Sequence, residues 1–530
     1  MNSTESVYDV ICVGAGMGGL TAANILAYNG YKVLIVEKHT VPGGYCTNFK
    51  RKDFRFDAST HIIGGCKPGG TIYNILKQFE AENSIEFIEL KELYHWIDPN
   101  NKIDFHAPVA LPEFVDGLVK LFPHEEKGIR EYHKKYTNCI KFGLEWKKSG
   151  VLGKIKTFFE YFGSMVRFLR LMNKTTDDMI DPYIQDPACK AVLTALCSFF
   201  GLPSEKLAAS MFLVGDFSYK LEGEGAFYPK GGSGQFSQSL AEIFIKNRGN
   251  LLLGTEVTKI TYSNKLAERI ITRDKRGNEK TFKGSVIIAN CDATHFFTDL
   301  CPPEAIPEAY IHKIKNLEPS YSVVILFAGL DIDVKKYNIE EYERWVTWDP
   351  DFSSEKLNSM LKTADYSNLP MGNVTIYSNI DPTCCPPGKS VISCLCYAIP
   401  EPFEKVVQED GTHGEFYKEF KAKIGDQLLE QAAKVMDIPD LASHVEILEL
   451  ATPLTLKRYT SNRGGAFIGW RMTPDQALLN NLPQETPLRN VFLCGHWTYP
   501  SGGVAGVMMS GEDVGKKVLK YLKKIKRYPI

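Results

Sequence analysis

Three glycines and one acid near the start of the chain have types and spacing that suit a single chemistry. They are Gly14, Gly16 and Gly19 in "CVGAGMGGL", and Glu37 at the end of "VLIVE". G-x-G-x-x-G followed about 20 residues later by an acid is the spacing of a dinucleotide site. Gly14 permits a tight turn, Gly16 lets the backbone approach a pyrophosphate, and Gly19 lets a helix lie close to a strand. Ala15 and Gly18 belong to the same turn and are expected to touch the ligand with it. Glu37 accepts hydrogen bonds from ribose hydroxyls, with Lys38 beside it, and a carboxylate there repels the 2′-phosphate of NADP.

These residues need a strand, a helix and a second strand to hold them. The apolar run at 10–13 predicts a buried strand. Leu20, Ala23, Leu26 and Ala27 recur at helical spacing, and Asn29-Gly30 predicts the helix end. The run at 33–36 predicts the second strand, with Glu37 at its C-terminal edge.

Bulk properties narrow the class. A chain of 530 residues is too long for one simple core, so two or three packed units are expected. The hydrophobic fraction is 44%, the charged fraction 24% and the formal net charge -1, which gives no electrostatic reason to expect nucleic acid. Thirteen scattered cysteines, with Cys12 and Cys494 in apolar runs, suit a reducing, cytoplasmic setting better than a disulfide framework. The first residues carry no secretory pattern, and the sequons at Asn2, Asn173 and Asn373 are read as unused. "SVVILFAGL" is among the longer apolar runs and is too short to span a bilayer.

Gly43-Gly44 in "VPGGYCTNF" places a second flexible pair just after the acid. With this pair the chain resembles the flavoproteins that include phytoene desaturases, carotenoid isomerases, retinol saturases and amine oxidases. That resemblance implies FAD rather than NAD. Many members carry Arg after the pair; Tyr45 stands here, which points away from the amine oxidases and removes a cation from the pyrophosphate. "FDASTHIIGG" from Phe56 is similar to the family segment that runs beside the isoalloxazine. "YPKGGSGQFSQSLAEIF" from Tyr228 is similar to the stretch leading into a helix of the nucleotide domain. Val257 then matches a strand residue whose backbone meets the adenine, and "SVIIAN" from Ser285 matches a later strand of that sheet.

The third match is "NVFLCGHWTYPSGGVAGVMMSGEDVGKKVL" from Asn490. It resembles the family's closing strand, glycine-acid, loop and helix, with His496 where an Asp usually follows Gly495. A helix beginning near Val504, after Ser501, Gly502 and Gly503, would turn its N–H groups toward the flavin. The implied fold is α/β: a Rossmann-type, glutathione-reductase-like FAD-binding domain at 1–75, 222–300 and 450–530. An interleaved α+β substrate domain follows, helical at 76–221 and an antiparallel sheet at 301–449.

The segment 151–172 puts Val151, Ile155, Phe158, Phe162, Met165, Leu169 and Met172 on one helical face, with Lys154, Lys156, Arg167 and Arg170 off it. Such a helix either packs on the core with a solvated basic face or lies in a membrane interface, to which the basic C-terminal tail adds attraction. Peripheral membrane contact is the second expectation.

No second dinucleotide fingerprint, C-x-x-C, zinc spacing or nucleophile elbow is present, so no metal is expected and hydride transfer to or from carbon remains. The resemblance implies desaturation, saturation or isomerisation of a long polyene or isoprenoid lipid, such as a carotenoid or retinoid. The electron donor or acceptor would be external. His61 and then His496 are the acid/base candidates, each with a plain structural role as the alternative. Two other readings stay open: a flavin amine oxidase, and a prenyl-binding protein of the GDP-dissociation-inhibitor type that does no catalysis.

Overall fold

The computed structural model describes residues 6–148, 151–349, 353–408, 411–500 and 502–527. Asn2 and Ser501 lie outside the described residues, as do the side chains of Val151, Lys154 and Ile155.

The first strand, β1 (Ser6–Val13), is buried from Val10 onward and leads through the glycine turn into helix α1 (Met17–Tyr28), capped at its end by Asn29. Strand β2 (Val33–Val36) follows and pairs parallel with β1. Strand Glu279–Ala289 pairs parallel with the other edge of β1, Asn250–Leu252 extends the sheet beyond β2, and Val491–Leu493 adds to Glu279–Ala289. Two antiparallel strands, Leu266–Asp274 and Thr255–Ser263, complete seven. Segments far apart in sequence thus share one sheet whose parallel strands end on the same side.

Helix α1 has no exposed face within Met17–Ala27. The closing helix Val504–Arg527 and helix Ser233–Lys246 both pack against it. Small residues make the approach: a Cβ on Gly511 would stand 2.3 Å from the Gly18 carbonyl. Met508, Val514, Val518 and Leu522 of the closing helix are buried in the same cluster, each contributing roughly 1.5–3 kcal/mol of burial.

A second seven-stranded sheet runs in the order Val445–Ala451, Ser322–Leu330, Ser390–Ala398, Met371–Ile376, Glu343–Thr347, Glu92–Asp98, Ile103–Pro108. Its last two strands correct the expectation that 76–221 is helical. They form a hairpin around the turn "PNNK", in which Lys102 takes a φ of 55°. The sheet is not purely antiparallel either, since Glu343–Thr347 pairs parallel with Glu92–Asp98. Trp96 and Trp345, side by side in that parallel pair, are both buried. A small sheet joins Ile63–Gly64 and Phe87–Leu90 to Ala226–Pro229, and so anchors the loop that carries His61.

The segment expected as an amphipathic helix is the helix Val151–Arg170, but its stripe does not pack as one face. Tyr161 leaves helical geometry (φ -112°, ψ 16°), which rotates one half against the other. Phe159 is 75% exposed, Phe162 50% and Leu169 53%, while Met172 beyond the helix is buried. Among the described residues no helix is long and apolar enough to cross a membrane.

Candidate active site

Gly14, Gly16 and Gly18, at the carboxyl end of β1, line a cavity of about 540 Å³. Ala15 and Gly19 do not line it, and their roles are supporting. A Cβ on Gly19 would lie 2.5 Å from the Gly14 carbonyl, so the helix can start here only without a side chain. Gly16 caps α1 with no side-chain hydrogen bond, and no acid stands in the first turn. The first N–H groups of α1 are therefore free of a side-chain cap, and its positive dipole end faces the cavity.

The Ala15 N–H donates to Glu37 Oε2 at 2.7 Å, and the His39 N–H donates to Oε1 at 2.7 Å. Each carboxylate oxygen keeps a lone pair for a further donor. Burial raises the Glu37 pKa, with the two N–H bonds pulling the other way. Lys38, also in the wall, gives its Nζ to Ser461 Oγ at 2.7 Å. Gly43 bridges to Gly16, its N–H donating to the Ala15 carbonyl at 2.8 Å, which lays the 43–44 pair beside the first turn. Val257 is in the wall at the edge strand of the same sheet.

Tyr45 follows, with its hydroxyl donating to the Ala466 carbonyl at 2.8 Å and accepting from Asn462 Nδ2 at 3.3 Å. Burial pushes its pKa up to about 12, so it contributes no charge. Gly495, His496, Gly503 and Val504 line the cavity too, as does the first turn of the closing helix. Burial lowers the His496 pKa to about 4, which keeps the imidazole neutral near pH 7 and leaves it no titrating role there. Trp497 meets it edge-on at 5.3 Å.

His61 reaches the cavity from the loop behind Ile63–Gly64. Its Nδ1 lies 3.1 Å from Thr375 Oγ1 and 3.4 Å from Glu343 Oε2. Thr375 donates to Glu343 Oε2 at 2.9 Å, and Trp345 Nε1 donates to Oε1 at 2.9 Å. Tyr342 closes the group by donating to the His61 carbonyl at 2.7 Å. Beyond it the wall is apolar and aromatic, with Phe199, Leu202, Met211, Trp345, Leu369 and Tyr397.

Two residues of this site escaped the sequence. Asn290 donates from Nδ2 to the Gly14 carbonyl at 3.2 Å. Its signal was its place directly after a parallel strand, where ligands of such sheets bind. Glu343 stands in the mixed charged and aromatic stretch "EYERWVTW", and nothing in the sequence ties it to His61. No metal motif was expected. The fold does bring ligand atoms of His95, Asp104 and His106 within 4.8 Å of one another at the sheet edge, on the strand face opposite Trp96, with the histidines also bonded to Glu341 and Glu92.

A dinucleotide flavin fits this chain. The uncapped helix start suits a pyrophosphate, the two-oxygen acceptor Glu37 suits ribose hydroxyls, and the second helix N-terminus suits electron-rich flavin. The comparisons with known proteins agree. Prolycopene isomerase 2 of an Oncidium hybrid cultivar is 26% identical over 99% of this chain and 86% of that protein. All-trans-retinol 13,14-reductase of Danio rerio is 24% identical over 96% of this chain and 86% of that protein. Among solved structures, an oxidoreductase of Methanosarcina mazei matches with a TM-score of 0.60 at 17% identity, covering 96% of this chain and 99% of that one. Putrescine oxidase bound to putrescine matches with a TM-score of 0.60 at 11% identity, covering 97% and 99%. Both show a shared mixed α/β fold. The family model for flavin-containing amine oxidoreductases spans residues 17–519. The chain belongs to the flavin-containing amine oxidoreductase family.

Proposed function

We propose that this chain is an FAD-dependent oxidoreductase acting on carbon–carbon double bonds of a long apolar polyene or isoprenoid lipid, of the carotenoid or retinoid kind. The observation that carries this reading is one cavity with two characters. A glycine turn, Glu37 and a helix N-terminus line one part of its wall, and aromatic and aliphatic side chains line the rest. The relatives named for prolycopene isomerisation and retinol reduction support the same substrate class.

The finer assignments follow from it. The FAD-binding unit, Rossmann-type and glutathione-reductase-like, is drawn from 1–75, 222–300 and 450–530. The substrate unit is drawn from 76–221 and 301–449. Gly14, Ala15, Gly16, Gly18 and Gly19 form the pyrophosphate turn. Glu37 takes the ribose and Lys38 flanks it. Gly43, Gly44 and Tyr45 lie along the cofactor, and the Val257 backbone meets the adenine. Gly495, His496, Gly503 and Val504 hold the flavin end.

Bound FAD supplies hydride exchange with carbon, and an external donor or acceptor resets it. The chain itself orients the lipid between apolar walls, excludes water and keeps the neutral His496 and Tyr45 from adding charge. His61 holds or takes a proton at the cavity wall. The exposed Phe159, Phe162 and Leu169, flanked by Lys156 and Arg170, support peripheral attachment of a cytoplasmic protein to an anionic bilayer, from which a lipid substrate would enter.

Amine oxidation is the weaker reading. Tyr45 in place of an arginine and the apolar wall both argue against it. A prenyl-binding role without catalysis has the likeness to Rab GDI of Plasmodium falciparum behind it, at a TM-score of 0.50 and 12% identity. Colour separates this last reading from the first, since the purified protein should be yellow. The decisive experiment reduces the bound flavin without oxygen and mixes it with polyenes, retinoids and unsaturated fatty acids. Reoxidation by a polyene identifies a reductase, and isomer change without reoxidation an isomerase. Turnover of simple amines with no response to any polyene would overturn the proposal.

A further inference from the structure

We propose that Glu343 is a positioning residue that, with Thr375, fixes His61 as the Nδ1–H tautomer and so leaves Nε2 as the proton-exchanging atom facing the lipid. This rests on the reading of the cavity as a flavin and polyene site.

The hydrogen-bond inventory forces the direction. Glu343, as a carboxylate, only accepts. Its Oε1 is taken by the Trp345 N–H and its Oε2 by the Thr375 hydroxyl. Thr375 has one hydroxyl hydrogen, and it goes to Glu343. Its oxygen therefore faces His61 Nδ1 as an acceptor at 3.1 Å, and Nδ1 must carry the hydrogen. Glu343 Oε2, 3.4 Å from the same nitrogen, pulls the same way. Among the described residues Nε2 has no partner, while the ring lies in the cavity wall. The Glu343 side chain is 1% exposed, so this acceptor does not exchange freely with water. A buried acid that accepts from Trp345 and Thr375 and lies 3.4 Å from a histidine in the cavity wall has the geometry of an orienting group.

The proton then has one route. In the saturating direction the imidazolium Nε2–H gives its proton to one carbon of the double bond, whose π electrons form the new C–H bond. The other carbon takes a hydride with its own electron pair. Bound reduced flavin would supply that hydride as the two-electron reductant, so that the alkene gains two electrons and the flavin loses them. His61 is left neutral as Nδ1–H and regains its proton from solvent. Desaturation reverses each transfer. Glu343 steadies the charged ring in both.

Nitrogen-15 NMR of the flavin-loaded protein labelled at histidine tests the proposal, with His61 identified by the signals lost in His61→Asn. The native protein should show His61 as Nδ1–H when neutral. In Glu343→Gln the amide oxygen stays with the Trp345 N–H, so the amide N–H₂ turns toward Thr375. Thr375 then donates to Nδ1, and the majority tautomer should switch to Nε2–H. In Thr375→Val the carboxylate remains and Nδ1–H should persist. Native His61 found as Nε2–H, or a yellow Glu343→Gln that keeps Nδ1–H, overturns the relay. The native measurement decides alone if a variant does not fold. A colourless preparation that refuses FAD sinks the flavin reading instead, and the tautomer can still be read in that protein.

Discussion

Asn290 donates from Nδ2 to the Gly14 carbonyl at 3.2 Å, and its Oδ1 stands 2.7 Å from where a Cβ on Gly495 would be. One side chain thus bonds to the first glycine turn, 276 residues away, and packs against Gly495 of the last, where only a glycine leaves it room. Asn290→Leu removes the amide donor from the part-buried Gly14 carbonyl, which keeps only the weak Cys12 S–H at 3.5 Å, at a cost of about 1 kcal/mol. The variant should fold yet lose FAD on desalting, seen as a fall in flavin absorbance relative to protein. Full retention of FAD would remove Asn290 from the cofactor site.

Glu37 anchors two backbone N–H groups and keeps lone pairs free, which the proposed function assigns to the ribose. Glu37→Ala should weaken FAD roughly 10–100-fold, the equivalent of one lost charge-assisted hydrogen bond. Glu37→Gln keeps one acceptor and should lose less. Fluorescence titration of flavin into the apoprotein measures both.

His61→Ala should keep the flavin and lose about 10²–10⁴-fold in turnover, the usual weight of general acid–base catalysis. The readout is reoxidation of the reduced enzyme by whichever polyene the native protein accepts. Unchanged turnover would remove His61 from the mechanism. His496→Asn should leave the pH dependence of turnover near neutrality unaltered, because burial already holds His496 neutral there.

Acid should destabilise the protein through its buried histidines. Burial lowers the His133 pKa from 6.5 to about 3 and that of His496 to about 4. The unfolded chain takes up protons below pH 6.5 that the native state refuses, so stability is full above that value and falls as pH drops toward 4 and then 3. His133 alone accounts for roughly 4 kcal/mol by the lower end. His133→Phe should flatten the fall in Tm between pH 6 and 4, measured by calorimetry.

Phe159, Phe162 and Leu169 lie exposed on the helix Val151–Arg170. Replacing all three with Ser should abolish co-sedimentation with anionic liposomes at low salt while leaving the flavin spectrum intact. Native protein that stays in the supernatant at low salt would end the membrane proposal.

Much of the fold around the cofactor was legible because its signals are local. Gly14, Gly16 and Gly19 report a turn their own backbone needs, and the apolar run before Glu37 reports a strand by its own composition. The start of the closing helix at Val504 was readable for the same reason. The hairpin at 92–108 was missed because its alternation is short and a helix-like stretch follows it. The apolar face at 151–172 left core packing and membrane contact both open, and the exposure of Phe162 and Leu169 beside the burial of Met172 is set by tertiary packing, which spacing does not encode.

From its residues alone the chain indicated a strand, a glycine turn, a helix and a second strand ending in an acid, while the flavin roles of the closing helix and the His61 segment came only from the family resemblance. Periodicity and backbone demands act over a few residues and can be read in order. The pairing of His61 with Glu343 and Thr375, 282 and 314 residues away, was settled only when the second sheet put its central strands behind the His61 loop. Hydrogen-bond direction is a property of groups brought within about 3 Å, and no spacing along the chain encodes that.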